Sequence, residues 1–344
     1  KQIISIELFG NELTDACCEL VAEMLKTNKV LKRLKLGDNK IGPEGARILG
    51  EGLKHNQTLT QLHLGGNKVD VVGIKSIADA LINNTSLTSL GLRDNGIGSD
   101  GMKYLAETLK SNTQLSDIQL KGNSIKAMGA SCLSTALITN QSLKVLELQS
   151  NAIGPVGVKS LCQALKDNHS VHALNFNDNE LGDEGALYVA NLLKVNPSIT
   201  TLGLANNRIR KKGAVALAEA LKCEQTAVTG LDLGNNEIGN GGAVALSAAL
   251  AVNTVLTSLD LRSCEIHLKG ILALSNMAET NTTLRHLDLG ANYAKNQGAS
   301  SWAQVLSKNR SLTRLCLTDN QIYHEGGEAL AIGLQSNYTL RNFS

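Results

Sequence analysis

Two spacings of apolar residues alternate along the chain. Leu34 and Leu36 stand two apart with Arg33 and Lys35 around them, and Ala46, Leu49 and Leu53 follow at steps of three and four. Residues two apart share one face of a strand, and steps of three and four mark one face of a helix. The stretch therefore predicts a short strand, a turn, a helix and a return loop. Pro43 falls where a first helical turn tolerates proline, and Pro155 repeats the choice. Asn56 is expected to close the helix, and its equivalents recur at Asn28, Asn84, Asn112, Asn140, Asn168, Asn196, Asn253, Asn281, Asn309 and Asn337.

The unit repeats in register. One asparagine returns every 28 residues at Asn11, Asn39, Asn67, Asn95, Asn123, Asn151, Asn179 and Asn207. The next step, to Asn236, is 29; Cys264 then takes the slot, followed by Asn292 and Asn320, which makes twelve copies. The extra residue lies in 222–227. Each asparagine ends a strand where the backbone must turn, and its amide can satisfy main-chain groups that the turn would orphan. Stacked copies should form a ladder.

The pattern around each asparagine, L-x-x-L-x-L-x-x-N-x-I-G-x-x-G, reads Leu31, Leu34, Leu36, Asn39, Ile41, Gly42, Gly45 in the second copy. The fourth copy gives Leu87, Leu90, Leu92, Asn95, Ile97, Gly98, Gly101. It is identified as a leucine-rich repeat, over the whole chain. No unit can bury its apolar face alone, and stacking buries them all. Strands stand about 4.8 Å apart and helices about 8–10 Å, so the helical side is the longer arc. The expected fold is α/β: a right-handed solenoid shaped as a horseshoe, with parallel strands on the concave face and helices on the convex face. It is expected to be one domain over residues 1–344, with an incipient thirteenth strand at Leu340 and Phe343. Neither end carries a polar cap and there is no starting Met, which suggests an excerpt of a longer protein.

Composition narrows the chemistry. Only 3% of residues are aromatic, so aliphatic side chains must build the core. The net charge of +2 excludes a generally polybasic or polyacidic chain. No apolar run approaches the roughly 20 residues of a membrane helix, and no signal peptide opens the chain. Seven scattered cysteines without Cys-x-x-Cys point to a reducing, cytoplasmic setting. Cys18 and Cys162 read as small core residues, while Cys316 sits at an outward strand position.

Several motifs dissolve into the repeat. Gly96–Gly101 matches G-x-G-x-x-G, but Gly98 and Gly101 are turn glycines of the unit, outside any doubly wound context. The Asn-x-Ser/Thr sequons at Asn56, Asn84, Asn140, Asn168, Asn281, Asn309 and Asn337 coincide with the helix-closing asparagine; Asn83 alone does not. The histidines form no metal-ligand cluster, no nucleophile and base converge, and no cofactor, metal or catalytic residue is expected.

Function in such solenoids lies on the inner face. Its residues occupy the third, fifth, seventh and eighth places of each repeat, with the tenth on the rim. Repeats two to five place Arg33, Lys35, Lys40, His63, Lys68, Arg93 and Lys121 there, against Asp38, Asp94 and Asp117. Repeats six to ten place Glu147, Asp178, Glu180, Asp232, Glu237, Asp260 and Glu265, against Arg208 and Arg262; Asp288 and Arg314 follow. Asp232, Asp260 and Asp288 share one column, with Arg262 as the only nearby inward cation. The column implies a protein partner with a basic surface, or merely solubility. The candidate partner-binding set is Arg33, Lys35, His63, Arg93, Lys121, Glu147, Asp178, Asp232, Asp260, Arg262, Asp288 and Arg314. Outward aromatics are limited to Phe9 and the rim residue Tyr293, which suits electrostatic docking better than a tight anchored interface. Nucleic-acid binding is not expected, since the basic patch is short and lacks interleaved aromatics.

The 28-residue helix-bearing unit resembles the ribonuclease-inhibitor class of leucine-rich repeats. Uniform units such as Gly182-Asp183-Glu184-Gly185-Ala186 are similar to the C-terminal region of NOD- and NLRC-type receptors. That resemblance implies a non-enzymatic, ligand-sensing or autoinhibitory module. The same class is similar to Ran GTPase-activating proteins, to actin regulators of the tropomodulin type and to bacterial effectors. A Ran-type activator would use a strand-end arginine, with Arg93 as the candidate, and an acidic tail. The fold alone does not choose among them.

Overall fold

The computed structural model describes residues 3–344, in two compact units: one ends at Asn179 and the other runs from Glu180 to Ser344. In the first unit, seven strands pair in parallel in chain order: β1 (Ser5–Glu7), β2 (Arg33–Lys35), β3 (Gln61–His63), β4 (Ser89–Gly91), β5 (Asp117–Gln119), β6 (Val145–Glu147) and β7 (Ala173–Asn175). The second unit repeats the arrangement with β8 (Thr201–Gly203), β9 (Gly230–Asp232), β10 (Ser258–Asp260), β11 (His286–Asp288), β12 (Arg314–Cys316) and β13 (Asn342–Phe343). A helix follows every strand but the last, from Asp15–Thr27 to His324–Leu334, and within each unit successive helices pack on one another. The parallel strand–helix units predicted from the spacing are present, including the thirteenth strand.

Registers are equal: Leu34 faces Leu62 and Leu259 faces Leu287. The 29-residue step leaves this intact, since Thr201 faces Gly230. The added residue is absorbed in the loop before β9, where buried Thr226 replaces the helix-closing asparagine and its Oγ1 donates to the Ala220 carbonyl at 2.7 Å.

The strands are short for a backbone reason. The residue before each ladder position is left-handed in all twelve repeats, with φ between 50° and 71°. Glycine, aspartate and asparagine fill nine of these places, Ser150, Ser263 and Ala291 the rest. Those first three types tolerate the left-handed region best.

The asparagines at the ninth place bond along the stack. Asn123 donates from Nδ2 to the carbonyls of Leu92 at 2.8 Å and Leu120 at 3.0 Å. Its Oδ1 accepts the N–H of Asn95 at 3.0 Å and of Ile97 at 3.3 Å. Cys264 substitutes partially: its thiol donates to the Leu233 carbonyl at 3.2 Å, and it is fully buried. Burial is the main reason its pKa is pushed up to about 12.

A second ladder runs along the return loops. Asn56 donates to the Leu25 carbonyl at 2.7 Å, while its Oδ1 accepts from Thr58 and Leu59 N–H at 3.0 and 2.7 Å. Asn84, Asn140, Asn168, Asn281 and Asn309 are likewise buried, so these sequons present no free amide for a glycan. Asn83 is exposed. Helix starts are also capped across coils. Asp15 accepts from Gly42 N–H at 2.6 Å, and Asp183 accepts from Arg210 and Gly213 N–H at 2.8 and 2.7 Å. A side chain of one coil thereby satisfies orphan donors of the next.

The core is aliphatic, with Leu, Ile, Val and Ala between strands and helices; Phe176 and Trp302 are its large aromatic members. All seven cysteines are free, and Cys18 and Cys162 lie in the core. Burial raises both thiols, Cys162 to about 12.

Candidate functional site

Within each unit the outward side chains of the strands form columns, because the paired strands are in register. In the first unit the fifth-place column runs Glu7, Lys35, His63, Gly91, Gln119, Glu147 and Asn175. Lys35 is paired to Glu7 at 2.9 Å. His63 is half-buried, and burial followed by the Lys35 ammonium holds its imidazole below the ordinary pKa. Glu147 is pushed above the usual carboxylate range, first by burial and then by Asp117. Arg33 is exposed and reaches Ser5 Oγ at 3.4 Å; Lys121 is exposed beside Glu147.

Arg93 is held by its own chain. Its Nη2 donates to both oxygens of Asp38 at 2.8 Å, and its Nη1 to Asp94 Oδ2 at 3.1 Å. Asp38, Asp94 and Asp178 all occupy the left-handed place before a ladder asparagine. Backbone conformation thus accounts for aspartate at these positions independently of any partner. That signal was present in the sequence as the recurrent Gly, Asp and Asn at the eighth place.

In the second unit Asp260 faces Asp232 on one side and Asp288 on the other, so the three carboxylates do stand in one column on adjacent strands. Each also makes a turn of its own. Oδ1 of Asp232, Asp260 and Asp288 accepts the N–H of Gly234, Arg262 and Gly290 at 3.0, 2.9 and 2.8 Å. Asn175 makes the same contact to Asn177 N–H at 2.9 Å. These side chains therefore close strands as well as carrying charge. Burial raises the Asp260 carboxyl, Asp232 and Asp288 raise it further, and Arg262, paired at 2.6 Å, opposes them.

Two expectations need correction. Arg262 is not the only inward cation near the column: Arg314 lies in the adjoining third-place column on β12, beside the His286 imidazole of β11. Sequence reasoning missed this because it followed one column at a time. The rim acids are also less free than charge counting implied. Glu180 meets Arg208 at 3.3 Å, and Glu237 meets Arg210 at 2.8 Å. The tenth and twelfth places on neighbouring coils come together there. Tyr293 is stacked on His267, with ring centroids 4.4 Å apart. Cys316 continues the acidic column beside Asp288, its sulfur 3.1 Å from Thr318 Oγ1.

A cavity of about 320 Å³ lies over β10–β12, lined by Asp260, Asp288, Arg262, His286, Arg314 and Cys316 among others. Another of about 320 Å³ in the first unit is bounded by Phe9, His63 and Arg93 above Gly37, Gly65 and Gly91. Among the described residues no group of three His, Cys, Asp or Glu could hold a metal ion, and no helix is long and apolar enough to cross a membrane.

A family model described as the MHP1/HER1/GIP3 LRR domain matches residues 68–344, and a leucine-rich-repeat model matches 27–49 and 55–78. No curated protein matches the chain in sequence. Among solved structures, the crystal structure of the Rad7 and Elc1 complex in yeast is similar at 18% identity, over 91% of this chain and 86% of that one, with a TM-score of 0.51. An internalin, inlF, from Listeria monocytogenes is similar at 18% identity, over 99% of this chain and 86% of that one, with a TM-score of 0.51. At such identity the likeness is one of fold.

Proposed function

The chain belongs to the MHP1/HER1/GIP3 LRR domain family, and on that footing we propose that it is a non-enzymatic protein-recognition module working through its strand face. The observation that carries this reading is the column Asp232, Asp260 and Asp288, three carboxylates on neighbouring strands with Arg262 paired to the central one. Like charges on adjacent strands repel. A partner bringing lysine or arginine relieves that repulsion and gains charge-assisted hydrogen bonds. The partner is therefore read as a protein with a basic surface, and the candidates of the first unit, Arg33, Lys35, His63, Arg93, Lys121, Glu147 and Asp178, as a separate set.

The test is binding of a capped peptide with an Arg-Ser-Arg core, measured against salt. Exposed charge pairs weaken as the Debye length shortens to about 8 Å at physiological strength. The triple change Asp232→Asn, Asp260→Asn, Asp288→Asn should weaken binding and flatten the salt dependence. Asparagine retains the turn contact, as Asn175 does, so the fold should survive. Equal binding by wild type and triple variant would refute the column's role.

The uniform 28-residue units support a parent of the NOD/NLRC receptor type, with this module as its ligand-sensing or autoinhibitory region. The free cysteines support a cytoplasmic setting. An upstream nucleotide-binding module in the full-length sequence would support that parent, and a downstream acidic run would favour a Ran-type activator instead. Against the activator stands Arg93, whose guanidinium is engaged by Asp38 and Asp94. The purified chain is expected not to accelerate GTP hydrolysis by Ran; acceleration lost on Arg93→Ala would reverse the assignment.

A further inference from the structure

The cavity over β10–β12 carries two kinds of charge in separate columns. Asp260 and Asp288 are fifth-place neighbours, and His286 and Arg314 are third-place neighbours. Third and fifth places are two residues apart on a strand, about 6.6 Å. The columns do not neutralise each other. Among the described residues, the Arg314 guanidinium and the His286 imidazole make no ion pair or side-chain hydrogen bond, and both are exposed. On the acidic side Arg262 takes Asp260 Oδ2 at 2.6 Å, while the turn at Gly290 engages only Oδ1 of Asp288.

The fifth-place column sets two carboxylates directly opposite each other, which is unfavourable unless a counter-charge sits between them, and the third-place column offers the Arg314 guanidinium. A wholly basic ligand would satisfy the aspartates and be repelled by Arg314. A wholly acidic one would meet the reverse. The volume of about 320 Å³ lies at the lower end for a ligand pocket. It suits a few side chains and not a large cofactor.

We infer that this pocket recognises an extended segment of a protein partner that carries a basic and an acidic side chain two residues apart. The basic side chain lies on Asp260 and Asp288, the acidic one on His286 and Arg314. In an extended chain, residues two apart point to the same side and span about 6.6 Å, which matches the column separation. The guanidinium of Arg314 can take a carboxylate through two parallel hydrogen bonds. This inference rests on reading the strand face as a protein-recognition surface. It replaces a simply basic partner at this pocket with one of mixed charge.

Three capped peptides with cores Arg-Ser-Glu, Arg-Ser-Arg and Glu-Ser-Glu, in identical serine-rich flanks, separate the possibilities. Their affinities are measured by titration calorimetry, and His286 ring resonances by NMR, with the full chain. The mixed peptide is expected to bind at least about fivefold tighter than either other, the equivalent of one good exposed ion pair. Arg314→Gln should erase that preference and leave the Arg-Ser-Arg peptide unchanged or tighter. Asp288→Asn should weaken both arginine-bearing peptides. If Arg-Ser-Arg binds as tightly as the mixed peptide, or the preference survives Arg314→Gln, the inference fails while the acidic-column reading stands. If no arginine-bearing peptide binds and Asp288→Asn changes nothing, both fail. Equal binding by free lysine or arginine would also overturn it, since no segment would then be recognised.

Discussion

Arg93 crosses Gly65 to grip Asp38, a residue 55 positions earlier and two strands away, with 2.8 Å from Nη2 to each carboxylate oxygen. A methyl group at Gly65 would overlap the arginine's aliphatic stem. The glycine therefore clears the path along which the side chain lies. Glycine weakens a strand region through entropy and lost packing, so its presence here is explained by the contact above it.

That relationship predicts coupling between the two sites. Gly65→Ala should displace Arg93 and cost stability, whereas in an Arg93→Ala background the same change should be neutral or stabilising. The exposed pair itself is expected to contribute no more than about 1 kcal/mol. Thermal or denaturant unfolding of the two single variants and the double variant checks this. Strict additivity would show that Gly65 and Arg93 are independent.

The ladder asparagines should carry stability. Asn123→Ala leaves several buried main-chain groups unpaired and is expected to cost about 3 kcal/mol, the upper end for a lost buried partner. Asn11→Ala, at the exposed first coil, should cost less, since among the described residues Asn11 donates from Nδ2 only to the Phe9 carbonyl. The reverse change at the one irregular rung, Cys264→Asn, should stabilise the fold by restoring amide contacts that a thiol makes weakly. Melting curves of the three variants test the order Asn123→Ala, Asn11→Ala, wild type, Cys264→Asn from least to most stable.

Backbone strain offers an independent handle. Ala291 is exposed and held at φ 51°, a conformation that costs a β-carbon-bearing residue about 1–2 kcal/mol. Ala291→Gly should raise the melting temperature despite the added freedom of the unfolded chain, and Ala291→Asn should do so without that penalty. A fall in both would mean the left-handed turn is not strained there.

The acidic column should be visible in the pH dependence of stability. The folded Asp260 carboxyl lies above its unfolded value near 3.9. Folding therefore favours its protonated form. That contribution is complete below the unfolded pKa and is lost as pH rises through the folded one. Asp260→Asn retains an acceptor for Arg262 N–H and is expected to stabilise the protein at pH 7, with the gain vanishing below about pH 4. Unfolding measured at both pH values decides it. A loss at pH 7 would show that the ion pair to Arg262 outweighs burial and repulsion.

Much of this protein was legible from order along the chain. A strand of three residues, a turn and a helix recur because leucines at steps of two and of three to four can be buried only on one face of each element. The ladder followed from asparagine at a fixed period, and even the 29-residue step was located. These features are local or strictly periodic, so distance along the chain determines them. What pairs with what across the strand face is different. Arg93 on Asp38 and Arg210 on Glu237 depend on side-chain length and, for Arg93, on the gap at Gly65, which the period does not encode. Nor did the pattern announce that Asp232, Asp260 and Asp288 each close their own turn. By itself the sequence determined the repeat, the register and the identity of the outward columns. Only the tertiary structure decided which outward charges are already neutralised and which stand open to a partner, because Coulomb and hydrogen-bond partners are set by distances of a few ångströms between coils, not by spacing in the chain.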